Sequence, residues 1–101
     1  MGRLSRGKKD ANHNELKAAF LQLGCTVLDL YDTGIAGCPD IVVGVAGINA
    51  LVEIKNPETR YGRAGLNSNQ NALQRNWRGG PLYVVSTPDE VVALVNNLRR
   101  R

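Results

Sequence analysis

Residues 39–55 read PDIVVGVAGINALVEIK, and this stretch constrains the fold more than any other part of the chain. Two apolar runs rich in β-branched residues, 41–45 and 50–54, are short enough to be strands, with Gly47 and Asn49 supplying turn chemistry between them. They read as a β-hairpin. Asp40, Glu53 and Lys55 sit on these runs, where charge is costly unless it is paired or binds something. Side chains alternate faces along a strand, so Glu53 and Lys55 point one way and Val52 and Ile54 the other. A turn at Gly47 and Ile48 puts Asp40 opposite Lys55, and a turn at Ala46 and Gly47 puts it opposite Glu53. Either register gathers all three charges on one face at the end of the hairpin.

Two carboxylates on one face suit a hard divalent cation, which takes oxygen ligands and keeps several waters when it is Mg2+. Asp40 and Glu53, with the Ile54 carbonyl, supply such a set, and Lys55 would face a phosphate or an attacking water. Metal-assisted phosphodiester hydrolysis uses these parts. The competing reading is plain: charges at a strand end also deter edge-to-edge aggregation.

At these residues the sequence resembles a known family. Pro39 and Asp40 followed by Glu53, Ile54 and Lys55 match the PD-(D/E)xK signature of restriction-endonuclease-like nucleases, and more specifically the small stand-alone VRR-NUC domains often encoded by phages. That subfamily adds a Glu in the first helix, a G-x-P-D lead into the second strand and a Gln in the helix after the E-x-K strand. Glu15, Gly37 to Asp40, and Gln70 occupy those places, and the resemblance runs from about Glu15 to Asn97. It implies an α/β fold with a restriction-endonuclease-like core, a mixed four-stranded sheet flanked by helices in the order αβββαβα. It implies a DNA endonuclease dependent on Mg2+ or Mn2+, with Asp40, Glu53 and the Ile54 carbonyl on the metal, Glu15 on a metal-bound water, Lys55 polarising water or phosphate, and Gln70 placing substrate. A preference for branched or four-way junction DNA and assembly as a homodimer also come from the resemblance. A catalytically silent nucleic-acid-binding module of the same fold is the alternative, against which the intact Asp40, Glu53 and Lys55 argue, and an RNA-processing enzyme is a third reading.

Length and charge agree with this. The 101 residues make one domain, 1–101, with a single core. Thirteen Lys and Arg against nine Asp and Glu give a net charge of +4, which suits an anionic partner. Residues 1–9 read as a flexible basic tail. Arg60 and Arg63 in a Gly-containing loop over the site, Tyr61 between them, and Arg75 and Arg78 on a helix are the expected nucleic-acid contacts, with Tyr61 placed to meet a base. Cys25 and Cys38 with the single His13 cannot assemble a zinc site, and they read as small buried hydrophobes. His13 itself reads as a surface or capping residue. No signal peptide or long apolar run appears, which points to the cytoplasm, that of a bacterial host for a phage protein, and to no membrane association.

The remaining elements follow from periodicity. Leu16, Ala19, Phe20 and Leu23 form a helical stripe over 10–24 ending at Gly24. Glu15 borders that stripe and can lean toward Asp40. Strands are expected over 27–31 and 82–86, and a helix capped by Asn67 through Gln70, Leu73 and a buried Trp77. Thr87, Pro88 and Glu90 open a last helix whose buried stripe is Val91, Leu94, Val95 and Leu98.

Overall fold

The structure, a computed structural model, describes residues 7–59 and 65–101, and side chains from residue 11 onward. Seven elements follow one another: α1 (Gly7–Gln22), β1 (Thr26–Asp29), β2 (Ile41–Val45), β3 (Ile48–Ile54), α2 (Ser68–Asn76), β4 (Leu82–Val85) and α3 (Pro88–Arg99). They form one four-stranded sheet in the order β1-β2-β3-β4, antiparallel across its first two pairs and parallel between β3 and β4. This is the expected mixed sheet and the expected element order. The parallel pair needs a crossover, and the segment carrying α2 provides it.

Val45 pairs with Ile48 and Ile41 with Val52, so the hairpin turn is Ala46 and Gly47, and Asp40 falls opposite Glu53. Both turn residues have positive φ, +53° and +78°, as a two-residue turn matched to strand twist requires. Ala46 carries the steric cost of that conformation, and the register fixed by burial of Ile41, Val43 and Val45 outweighs it.

The core lies between one face of the sheet and helices α1 and α3. Leu16 and Phe20 of α1 and Val91, Val95 and Leu98 of α3 are fully buried against Ile41, Val43, Val52, Ile54 and Val85. Burial of five to ten such side chains at about 1.5–3 kcal/mol each is the main term favouring this layer. Thr87 caps α3 by accepting from the Glu90 N–H, and the Glu90 carboxylate accepts from the Ser86 N–H at 2.6 Å. α1 starts at Gly7, inside the stretch read as a tail. Its C-terminal end is tied to α3, since Arg99 donates to the Leu23 carbonyl.

On the opposite sheet face, α2 lies over Glu53 and Lys55 through Gln70. Trp77 departs from its expected place in the core: it is half exposed. α2 stops at Asn76, and Trp77 is its C-cap with extended backbone, which turns the side chain off the helical face that Leu73 begins. No helix among the described residues is long and apolar enough to cross a membrane.

Candidate metal and phosphodiester site

Asp40 enters at the head of β2 and is held from both sides. Its carbonyl accepts from the Leu30 N–H beside β1, its N–H donates to the Val52 carbonyl of β3, and its Oδ2 accepts from the Ile54 N–H at 2.7 Å. The Pro-Asp half of the motif is thus bonded directly to the Glu-Ile-Lys half. Gly37 explains the lead into this turn. It has φ of +78°, and a Cβ there would lie 2.4 Å from the Asn69 carbonyl oxygen, so the first turn of α2 rests on the backbone just before Asp40.

That contact brings Gln70 over Glu53 and Lys55, all three at least nine-tenths buried. Gln70 Nε2 donates to Glu53 Oε2 at 2.7 Å, and Lys55 Nζ donates to Gln70 Oε1 at 3.0 Å while standing 3.3 Å from Glu53 Oε2. The same Gln70 Oε1 accepts from the Asn67 N–H at 3.0 Å, closing a reciprocal capping box at the start of α2. Two donors converge on one oxygen, which fixes the orientation of the amide. Gln70 is therefore a clamp on the charged pair and a helix cap at once.

The electrostatics are unbalanced in favour of a cation. Burial first, and then the neighbouring Asp40 charge, push the Glu53 carboxyl up to about 7 against the opposing pull of Lys55 and Gln70. Glu53 Oε1 is buried and has no hydrogen-bond partner among the described residues. A buried carboxylate oxygen left unpaired beside a second carboxylate fits a divalent ion, which would satisfy the oxygen and neutralise the repulsion. Among the described residues no three His, Cys, Asp or Glu side chains cluster as a metal cage. A cation here would rest on Asp40, Glu53, the Ile54 carbonyl and water, a set that Mg2+ accepts.

Helix α1 meets the site through His13 and Asn12. Glu15 is exposed and lines a shallow cleft with Asn12, Asn56 and Glu58, making no hydrogen bond or ion pair with Asp40 or Glu53. His13 takes that place, its Nε2 standing 3.8 Å from Asp40 Oδ2 with the side chain 14% exposed. Asn12 Nδ2 donates to the Lys55 carbonyl at 3.0 Å and ties the helix to the end of β3. Both residues were legible as spacing, since His13 and Leu16 are three apart and Asn12 and Leu16 four apart on the buried stripe, but their polarity hid it.

Of the expected nucleic-acid contacts, Arg75 and Arg78 are exposed on and just after α2. Arg60, Tyr61 and Arg63 lie outside the described residues. The part of that loop that is described begins with a turn held by Asn56, whose Oδ1 accepts from the Glu58 N–H and whose carbonyl accepts from the Thr59 N–H and hydroxyl.

Because Gln70 acts on both charged partners, Gln70→Ala is expected to lower cleavage by roughly 10- to 100-fold through misplacement of Glu53 and Lys55, as loss of outer-shell support does at metal sites. Gln70→Glu sets a third carboxylate against Glu53 and is expected to be at least as damaging. Cleavage rates within a few-fold of the parent in both variants, measured on one DNA substrate, would remove the clamp.

No family model and no curated protein matches the chain. A solved structure titled "VRR_NUC domain" is 26% identical to it, superposes with a TM-score of 0.59, and covers 88% of this chain and 95% of its own. The Gly-x-Pro-Asp turn, the Glu-Ile-Lys strand and the glutamine helix come together within a fold that this chain shares with that VRR_NUC domain structure over most of its length.

Proposed function

We propose that this chain is a divalent-metal-dependent endonuclease that hydrolyses DNA phosphodiester bonds, acting on branched or four-way junction DNA by structure rather than by base sequence. The observation that carries the reading is the Glu53 carboxylate, buried beside Asp40 with one oxygen unsatisfied. Asp40, Glu53 and the Ile54 carbonyl would hold Mg2+ or Mn2+. When bound, such an ion supplies a Lewis acid for the phosphate oxygens and lowers the pKa of its water. The chain's own groups do the rest. Asp40 is immobilised by the Ile54 N–H, and Glu53 by Gln70. Lys55 presents a buried cation where charge grows on the phosphorane-like centre.

Glu15, exposed beside Asn12 and Asn56, would reach the site through water. Arg60, Arg63, Arg75 and Arg78 would take flanking phosphates, and Tyr61 a base. A homodimer would set two such sites against two strands of a junction. Leu28, Tyr31 and Ile35, each more than 60% exposed on or just after the edge strand β1, form apolar surface that a second copy would cover.

The test is cleavage of labelled linear, flapped and four-way junction DNA with Mg2+, with Mn2+ and with chelator. Cutting is expected only with metal and fastest on the branched forms. Absence of cutting on every substrate, with binding retained, would leave a silent nucleic-acid-binding module.

A further inference from the structure

Beside the candidate site, toward the Ala46–Gly47 end of the sheet, lies a second surface with a distinct composition. Along β3 it runs from Ile48, five residues or about 16 Å from Glu53, to Leu51, two residues from Glu53. Ile48, Asn49, Leu51, Trp77, Tyr83 and Arg101 are among the residues that line this cleft of about 100 Å³. Trp77 is 50% exposed on its rim. A Cβ at position 79 would lie 2.8 Å from Trp77 Nε1, so Gly79 lets the indole rest against the chain at that turn, and the ring is seated rather than swinging free.

The charge around this cleft has one sign. Arg101 lines the cleft, the exposed Arg78 adjoins Trp77 in the chain, and none of the lining residues is Asp or Glu. Arg99 is engaged with the Leu23 carbonyl and Arg101 Nε donates to Asn97 Oδ1, while Arg75, Arg78 and Arg100 are exposed. A largely apolar lining, a held and half-exposed indole and an arginine at the cleft with no carboxylate beside it suit one class of ligand: an unpaired base stacked on the ring, with a neighbouring phosphate on a guanidinium group.

We infer that the Trp77 cleft is a second nucleic-acid contact that takes a single-stranded segment of the substrate. This rests on the reading of the chain as an enzyme of nucleic acids and adds to it a means of preferring substrates with unpaired bases. A paired base offers no free face to an indole, so the cleft distinguishes flaps and open junctions from plain duplex.

Trp77 is the only tryptophan of the chain, so its emission reports on this cleft alone. Wild-type protein in chelator is titrated with a short single-stranded oligonucleotide carrying a fluorescent label, following tryptophan emission and label anisotropy together, and then with the matching duplex. The expected result is saturable quenching by the single strand that tracks the anisotropy, with little quenching by duplex. Trp77→Ala is expected to weaken single-strand binding about tenfold, and Trp77→Phe, which keeps an aromatic face, substantially less. Anisotropy rising while emission stays constant would overturn the cleft and leave the nuclease reading standing. Emission that follows protein concentration instead of oligonucleotide would assign the surface to self-association and overturn the proposal. No binding of either nucleic acid by anisotropy would remove the nucleic-acid reading itself.

Discussion

Glu53→Gln and Asp40→Asn are each expected to bring DNA cleavage below detection while DNA binding in chelator stays close to that of the parent. Each change removes one of two negative charges from a site whose cation would have few other protein ligands, and a hard divalent ion tolerates that loss poorly. The folded state does not suffer equally. Burial and the Asp40 charge raise the Glu53 carboxyl to about 7 from its ordinary 4.5, so in the metal-free protein the folded state holds the Glu53 proton more tightly than the unfolded chain does. The stability tied to that proton is complete below pH 4.5 and is lost as pH rises through about 7. Glu53→Gln keeps the shape and the Gln70 contact without the charge, so in chelator it is expected to be the more stable protein at pH 8 and to show a flatter stability profile between pH 4.5 and 8 in urea unfolding. Loss of cutting together with a gain in metal-free stability separates a ligand from a structural carboxylate. Full cleavage by either variant would sink the site.

The second large effect is at Lys55. A cation that stabilises charge growing in the transition state is worth about a hundredfold to a thousandfold in rate, about 3–4 kcal/mol. A strand-end counter-ion in solvent would be worth under about 1 kcal/mol and nothing to rate. Lys55 is 4% exposed, donates to Gln70 Oε1 and lies 3.3 Å from Glu53, so the solvent-exposed reading of this residue does not apply. Lys55→Met keeps the aliphatic stem in its buried channel. The Glu53 carboxyl, having lost its cation, answers by holding its proton to still higher pH, which limits the cost to folding. The variant is expected to fold and bind DNA and to cleave at least about 100-fold more slowly. Cutting within a few-fold of the parent would make Lys55 a structural partner of Glu53 only.

Asp40, Glu53 and Lys55 stood out because charge on an apolar hairpin is conspicuous, and period-two alternation puts them on one face whatever the turn. The choice between the two registers was not legible, because it depends on Ala46 accepting positive φ, a conformation a non-glycine residue rarely signals. α3 was readable to the residue at its start, because Thr87, Pro88 and Glu90 cap it by local chemistry. Gln70 was found by its place in the motif, yet its double use as clamp and cap depends on how α2 docks against Gly37, a contact distant in sequence. Trp77 was misplaced into the core because helical periodicity extends a helix beyond its last turn, and only the extended backbone at the cap turns the ring outward. His13 and Asn12 were missed for the opposite reason. They follow the periodicity of the buried stripe, but polar residues on such a stripe give no sign of which strand end they will meet.

The most direct measurement is a calorimetric titration of Mn2+ into metal-free protein, without DNA, for the parent, Asp40→Asn and Glu53→Gln at pH 8. The parent is expected to bind Mn2+ saturably, and both variants to lose that binding. Equal Mn2+ binding by the parent and both variants would contradict the assignment of Asp40 and Glu53 as the metal site.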